Sequence, residues 1–238
     1  MRSPSLTRKT KAENGRLVSS YEWGGHRVDV CDSARNGILV IELFQDEELA
    51  PEQKAPLLIR MLFPKPEDAL AIAGERLGDL LIDIVWEAFG LDISSDGRHA
   101  SEHEDAVFDF TEDAGRIRAS LLQCFGLDWD DVAGTLSYAD MCSLLGMLVE
   151  ADAETPFAQA VYYRTAKPPK RNKHNGDLCD AFEARRKHFA LQSGRDPELS
   201  ANDTTADMFA IHGQHRNYRR KAEREGRRFG RKEDHRQP

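Results

Sequence analysis

The residue types that could carry chemistry are densest between His99 and His103, which read His-Ala-Ser-Glu-His. This spacing fits the H-x-x-E-H pattern of inverted zinc peptidases, in which two histidines bind zinc and the glutamate polarises the attacking water. Here Glu102 and its neighbours lie in the polar stretch DISSDGRHASEHEDA, without an apolar helix to hold them or a third ligand downstream. A zinc-dependent hydrolase is therefore kept only as a second alternative, and we predict a non-enzymatic protein with no metal and no cofactor.

A second group of acidic residues, in DFTEDAG, has the alternating spacing of a calcium loop at Asp109, Thr111 and Asp113. Such a loop needs glycine at its sixth position and a carboxylate at its twelfth, where this chain has Ala114 and Ser120. These acids are better explained as the start of a helix, where negative charge complements the helix dipole. Because the G-x-S-x-G, Walker and G-x-G-x-x-G motifs do not occur either, no triad hydrolase or phosphate-loop enzyme is indicated.

Hydropathy and cysteine usage predict a protein that stays in the cytoplasm. No apolar run approaches the roughly 18 residues that a membrane-spanning helix needs, and the first 16 residues are basic without the apolar centre of a signal peptide. The four cysteines are far apart and form no C-x-x-C pair. We therefore expect buried free thiols, with Cys124 and Cys142 on apolar helix faces.

Charge is divided unevenly along the chain. Residues 1–165 contain 15 basic and 30 acidic residues, whereas residues 166–238 contain 18 basic and 11 acidic residues. In the C-terminal part, arginines alternate with Tyr218 and Phe229, a composition that could contact nucleic acid. Since the arginine-rich residues 214–237 also include four acids and the whole chain is acidic, a protein-docking or solvated tail is favoured over nucleic-acid binding.

Apolar periodicity predicts a mainly α fold with a short N-terminal β-hairpin. The hairpin spans Arg16 to Val30 around Gly24-Gly25, and the first 15 residues are expected to be disordered. About five packed helices follow to residue 165, then a basic linker over 166–176 and a basic extension over 177–238 that is partly helical or disordered. Six segments of the sequence have a helical pattern and supply these helices. They lie over 34–49, from Pro51, from Pro66 to Phe89, after an N-cap at Thr111, after an N-cap at Ser137 and from Thr155-Pro156.

The tetrapeptide Phe-Gly-Leu-Asp occurs at 89–92 and again at 125–128, each time at the end of an amphipathic pattern. Glycine just past a helix adopts the left-handed conformation, and the next apolar residue packs back onto the last turn. Both copies are thus predicted to end helices. The predicted core residues are Leu43, Leu62, Leu77, Leu81, Ile84, Ile117, Leu121, Phe125, Leu144 and Leu148.

Two segments carry a family resemblance. In FDFTEDAGRIRASLLQCFGLDW the pattern is an acid at the helix start (Asp113), an Ile one turn later (Ile117) and an aromatic-Gly-aliphatic-Asp exit (Phe125, Gly126, Leu127, Asp128). In LSYADMCSLLGML it is Leu136, Leu144, Leu145 and Gly146, and an aliphatic-x-x-Arg close follows at Val161 and Arg164. On these residues the chain resembles the bacteriophage gene product fifteen family. The family has Trp and Phe where this chain has Tyr138 and Met141, and its Gly falls one place later than Gly146.

The resemblance covers residues 16–164, and nothing resembles the family after Lys170. It implies a tail assembly chaperone, acting in the cytoplasm of the bacterial host and encoded by a phage or prophage. Such a protein coats the tape measure protein until tail-tube subunits displace it. A longer form made by frameshifting would have its junction near 167–175, and its extra domain would recruit the tail tube protein. A structural or adaptor protein that stays in the virion is the first alternative, and homo-oligomerisation is left open.

Overall fold

A computed structural model describes residues 1, 10–13, 15–94, 107–150 and 154–191. The chain begins with three antiparallel strands, β1 (Lys11–Glu13), β2 (Arg16–Trp23) and β3 (His26–Val30), in the order β1-β2-β3. The predicted hairpin is confirmed, and its turn is made by two glycines at positive φ, Gly24 at 57° and Gly25 at 79°. Only glycine adopts this conformation without a steric penalty.

Strand β1 corrects the prediction that residues 1–15 are disordered throughout. It pairs with β2 through Lys11↔Val18, Ala12↔Leu17 and Glu13↔Arg16. The Lys11 ammonium also lies 2.5 Å from a carboxylate oxygen of Asp29 on β3. The three residues of β1 are mostly polar and do not show the alternation of apolar and polar residues that marks a strand in a sequence. They are recognised as a strand only by their pairing with β2.

Helices make up most of the described residues, so the predicted mainly α class is confirmed. A 3₁₀ turn at Gly74–Arg76 separates the third helix from the fourth. The α-helices are α1 (Ala34–Gln45), α2 (Pro51–Leu62), α3 (Pro66–Ala73), α4 (Leu77–Phe89), α5 (Ala114–Phe125), α6 (Trp129–Val132), α7 (Tyr138–Glu150), α8 (Pro156–Thr165) and α9 (Gly176–Phe189).

The interior is organised around the contact between α1 and α7. The Tyr138 ring, fully buried, lies against Gly37 of α1, where a Cβ would overlap the ring. Backbone hydrogen bonds join the starts of the two helices, since the N–H of Ala34 donates to the carbonyl of Leu136 at 2.8 Å. The N–H of Tyr138 donates to Asp32 at 2.8 Å. These bonds satisfy amide groups that a helix start leaves without partners.

Most of the predicted core is confirmed. Leu77 and Leu144 are partly buried and pack against the core, whereas Phe125 is 36% exposed and does not belong to it. Phe125 was predicted to be buried because it continues the α5 apolar spacing, but it is the last residue of α5, where that helix face is only partly covered. Cys124 beside it is also exposed, contrary to the prediction. The fully confirmed core positions are Leu43, Leu62, Leu81, Ile84, Ile117, Leu121 and Leu148.

Helix boundaries differ from the sequence prediction in three places. The first helix ends at Gln45 instead of residue 49. The helix predicted from Pro66 to Phe89 is broken at Gly74, whose φ of +53° is outside the helical region. The predicted N-cap Thr111 does not cap α5; Asp113 occupies that position, and the Asp109 side chain accepts the N–H groups of Thr111 and Glu112 at 2.7 and 2.9 Å.

Other predicted boundaries are confirmed. The Oγ of Ser137 accepts the N–H of Asp140 at 3.1 Å, and the Thr155 hydroxyl accepts the N–H of Ala158 at 3.2 Å. Gly90 and Gly126 both end their helices in the left-handed conformation, with φ of 69° and 65°. The two Phe-Gly-Leu-Asp copies are thus helix ends. The second copy also begins α6, because its aspartate, Asp128, accepts the N–H of Asp130.

The chain packs further than residue 165, where the sequence predicted the compact domain to end. After a segment without helix or strand at 167–175, helix α9 turns back and packs against α8. The basic and proline-containing residues of the predicted linker connect α8 to α9, which begins at Gly176. They do not mark the end of the folded part, because α9 carries apolar residues that find a partner on α8.

Candidate functional site

Two residues singled out from separate motifs, Asp113 and Arg164, are brought together by the fold. The carboxylate of Asp113, which has no exposed surface, begins α5, and Arg164 lies in the last turn of α8. Arg164 Nη1 donates to Asp113 Oδ2 at 2.6 Å and Nη2 donates to Oδ1 at 2.9 Å. This bidentate geometry is the strongest form of the arginine–carboxylate pair.

Each of the two carboxylate oxygens of Asp113 accepts one further hydrogen bond. Arg116, one turn along α5, donates from Nη1 to Asp113 Oδ1 at 2.6 Å. The backbone N–H of Asp109 donates to Asp113 Oδ2 at 3.2 Å. A buried charge is tolerated only when it is paired and hydrogen-bonded in this way.

The Arg164 guanidinium also holds two backbone carbonyls. Nη1 donates to the carbonyl of Val107 at 3.1 Å, and Nε donates to the carbonyl of Phe189, the last residue of α9, at 2.5 Å. One side chain, 7% exposed, therefore joins the segment before α5, the start of α5, the end of α8 and the end of α9.

The electrostatics favour the ionised form of Asp113. Burial opposes the charge of Asp113, but the hydrogen bonds and charge of Arg164, followed by those of Arg116, outweigh it and lower the pKa of the Asp113 carboxyl below its usual value. Both carboxylate oxygens are already occupied by donors, so this aspartate is not placed to bind a substrate or move a proton. We interpret the pair as a structural anchor.

The remaining motif residues surround this anchor or lie behind it. Ile117, Leu145 and Gly146 are buried, and Leu127, Leu136 and Leu144 are partly buried against the core. Phe125 is exposed, Gly126 ends α5 and Asp128 caps α6. The motif is thus mainly a packing and capping pattern. Phe125 is its one apolar member with an exposed side chain.

The structure does not describe the residues considered for zinc binding. His99, Glu102 and His103 lie outside the described residues. Within the described part of the chain, no three His, Cys, Asp or Glu side chains are grouped as metal ligands. Burial raises the pKa of the Cys142 thiol far above its usual range, which makes it a poor nucleophile.

A cluster of aromatic residues between α8 and α9 was missed by the sequence analysis. The ring of Tyr163 is 5.4 Å from that of Phe182 and 5.6 Å from that of Phe189, and Tyr162 is 6.4 Å from Phe182. The signal was the seven-residue spacing of Phe182 and Phe189, which places both on one helix face. It was overlooked because basic residues dominate that part of the chain.

These features define a mainly α protein that contains a buried ion pair. Within the described residues, no helix is long and apolar enough to cross a membrane. A family model described as "Bacteriophage Gp15 protein" matches residues 14–187, and the chain belongs to that family. The match extends past Lys170 and takes in nearly all of α9, so the family region does not stop where the sequence resemblance stopped. No curated protein and no solved structure matches the chain.

Proposed function

We propose that this protein is a non-enzymatic tail assembly chaperone that binds the tape measure protein in the cytoplasm of the bacterial host and keeps it soluble. Two supports are independent of each other. Membership in the bacteriophage Gp15 family supports a phage role. The surface supports a binding role, because large apolar side chains stand exposed on several helices.

The observation that carries the proposal is the grouping of these exposed side chains. Leu122, 55% exposed, and Phe125, 36% exposed, are three residues apart and therefore neighbours on α5. Grouped apolar side chains of this kind bind the apolar face of a partner helix.

The charge of the body fits the same role. Residues 1–165 have a strong excess of acidic residues, which keeps a protein soluble while it carries an apolar partner. Binding only the soluble form of an aggregation-prone client shifts its equilibrium away from the aggregate by mass action. The proposed partners are the tape measure protein and, through the basic C-terminal extension, the tail tube protein.

The test is co-expression with the tape measure protein of the same genome, followed by size-exclusion chromatography of the soluble fraction. We expect the tape measure protein to be soluble only with this chain and to elute with it. A double variant, Leu122→Ser with Phe125→Ser, should lose the complex. A matched control, Leu39→Ser with Leu57→Ser, changes side chains of similar exposure, 44% and 39%, on α1 and α2 and should retain it. Circular dichroism checks that both variants fold.

The opposite result redirects the assignment. If the tape measure protein stays insoluble and this chain elutes alone, the chaperone proposal fails and the virion-adaptor alternative takes its place. Mass spectrometry of purified particles then decides, since an adaptor stays in the virion at fixed stoichiometry and a chaperone does not. Metal analysis of the purified protein tests the zinc hydrolase alternative, and its elution volume in size-exclusion chromatography reports homo-oligomerisation.

A further inference from the structure

Helix α9 is attached to the molecule differently from the other long helices. Among its described residues only Cys179 is buried. The main core cluster, drawn from the sheet and from helices up to Val161 of α8, contains no described residue of α9. An element outside the contiguous core is a satellite, and satellites open at lower free energy than the core.

The contacts that hold α9 are mostly aromatic and involve few buried side chains; Tyr163 packs against Phe182, and Arg185 donates to the Tyr163 hydroxyl at 2.5 Å. The ring of Phe189 stacks on Tyr163 with an interplanar angle of 6°, and the Arg116 guanidinium lies 5.3 Å from the Phe189 ring centroid. Arg164 Nε binds the Phe189 carbonyl at the C-terminal end of α9. A cation at this position complements the negative end of the helix dipole.

The outer ties of α9 are weaker. Arg171 pairs with Asp180 at 2.7 Å, but both side chains are more than 60% exposed, and such pairs contribute little. The connection 167–175 includes Pro168 and Pro169 and has neither helix nor strand. It can therefore change direction without disrupting a regular element.

Together these groups form a surface with a definite specificity, which we name the α8 seat: Arg116, Tyr162, Tyr163 and Arg164. The Tyr162 and Tyr163 rings pack against apolar side chains on one face of a helix. Arg116 lies over an aromatic ring of that helix, and Arg164 donates a hydrogen bond to the carbonyl of its last residue. The resident helix supplies Cys179, Phe182 and Phe189, a stripe with three- and seven-residue steps.

We propose that the α8 seat is a binding site for a partner helix and that α9 is its displaceable resident. The partner is an amphipathic helix with two aromatic residues seven positions apart, the second at its C-terminal end. Only molecules in which α9 has left the seat can bind the partner. The apparent affinity for the partner is therefore the intrinsic affinity multiplied by the fraction of molecules in which the seat is open. The assignment of this partner helix to the tape measure protein rests on the proposed function.

The seat itself is tested without the tape measure protein. The probe is a fluorescent synthetic peptide of residues 174–191, added under reducing conditions to the full chain. A double variant, Phe182→Ala with Phe189→Ala, should bind this peptide at least about 10-fold more tightly than the wild type, because its own α9 no longer competes. Leu178→Ala, at a side chain of the same helix that is 63% exposed, is the matched control and should bind like the wild type. A peptide with both phenylalanines replaced by alanine should not bind.

Hydrogen exchange of the unaltered chain provides the second measurement. We expect the amides of 180–189 to exchange at least about 10-fold faster than those of α4 and α7. Protection of α9 equal to that of α7, or failure of the peptide to bind the double variant, overturns the proposal. A wild-type dimer that the double variant does not form would assign the seat to a second copy and overturn the partner helix.

The partner is tested by comparing the tape measure protein with the wild type and the double variant. Tighter capture by the double variant supports the tape measure protein as the partner. Peptide binding without any change in capture leaves the seat established and excludes this assignment. Failure of the wild type to solubilise the tape measure protein contradicts the proposed function but leaves the peptide and exchange results unaffected.

Discussion

The Arg164 side chain takes part in two attachments that differ in kind. On one side it forms a bidentate pair with Asp113, whose carboxylate has no exposed surface. On the other side it donates one hydrogen bond to the last residue of α9, a helix with a single buried side chain. The same guanidinium thus fixes the core at one end and a removable element at the other. Because charged groups interact more strongly where water is excluded, we expect the attachment to Asp113 to be the stronger of the two.

Replacing Arg164 breaks both attachments and should have the largest effect. Arg164→Ala leaves the Asp113 charge buried with only Arg116 and one backbone N–H, so we expect a loss of about 3–5 kcal/mol in the free energy of unfolding. Urea denaturation measures it. The control is Arg116→Ala, which removes a 29% exposed partner of the same carboxylate and should cost about 1 kcal/mol or less. Equal losses for the two variants would contradict the anchor.

A change in the core away from both attachments sharpens the comparison. Gly37→Ala forces a methyl group into the Tyr138 ring, and overpacking of this kind costs about 1–3 kcal/mol. Gly78→Ala on α4 is the matched control, since nothing lies within 4 Å of its added Cβ, and it should stabilise by about 0.5–1 kcal/mol. Thermal denaturation of both variants tests the sign, and a neutral Gly37→Ala would show that Tyr138 can move aside.

The pH dependence separates the ion pair from neutral packing. Because the pKa of Asp113 is lower in the folded protein than in the unfolded chain, the unfolded state binds more protons in this range. The stability from Asp113 is therefore fully present above its unfolded pKa and is lost as the pH falls through the folded pKa. Unfolding free energies measured from pH 7 downward should show this loss in the wild type and not in Asp113→Asn. Parallel pH curves would rule out the lowered pKa.

Loosening α9 alone should have a smaller effect on global stability. Phe189→Ala removes the stacking on Tyr163, but α9 lies outside the core, so we expect a loss of about 1 kcal/mol or less in global unfolding. Proteolysis between α8 and α9 should become faster at the same time. A loss of about 3 kcal/mol or more, as for a core phenylalanine, would show that α9 is part of the cooperative core.

The smallest effect is expected at the outer tie. Arg171→Ala removes an exposed ion pair with Asp180 and should change the free energy of unfolding by about 0–0.5 kcal/mol. The change should also vanish at high salt, because exposed charges are screened. Denaturation at low and high salt measures both. A large, salt-independent change would mean that Arg171 has a packing role.

The sequence determined where many helices start and stop. The N-caps at Ser137 and Thr155, the first-turn prolines at Pro51 and Pro66, and the left-handed glycines after α4 and α5 were predicted and are present. These features depend on contacts within four or five residues, so the local sequence contains the information that decides them.

Only the tertiary structure decided which distant residues meet. Asp113 and Arg164 were identified separately, but their pairing joins α5 to α8 across 51 positions of the chain. The exposure of Phe125 and the docking of α9 depend on whether a second element covers a given helix face. Helical periodicity predicts that a face is apolar without indicating what lies against it. For this reason the sequence predicted most of the helices of the body but neither α6 nor the break at Gly74, while the anchor and the α8 seat became visible only in the folded chain.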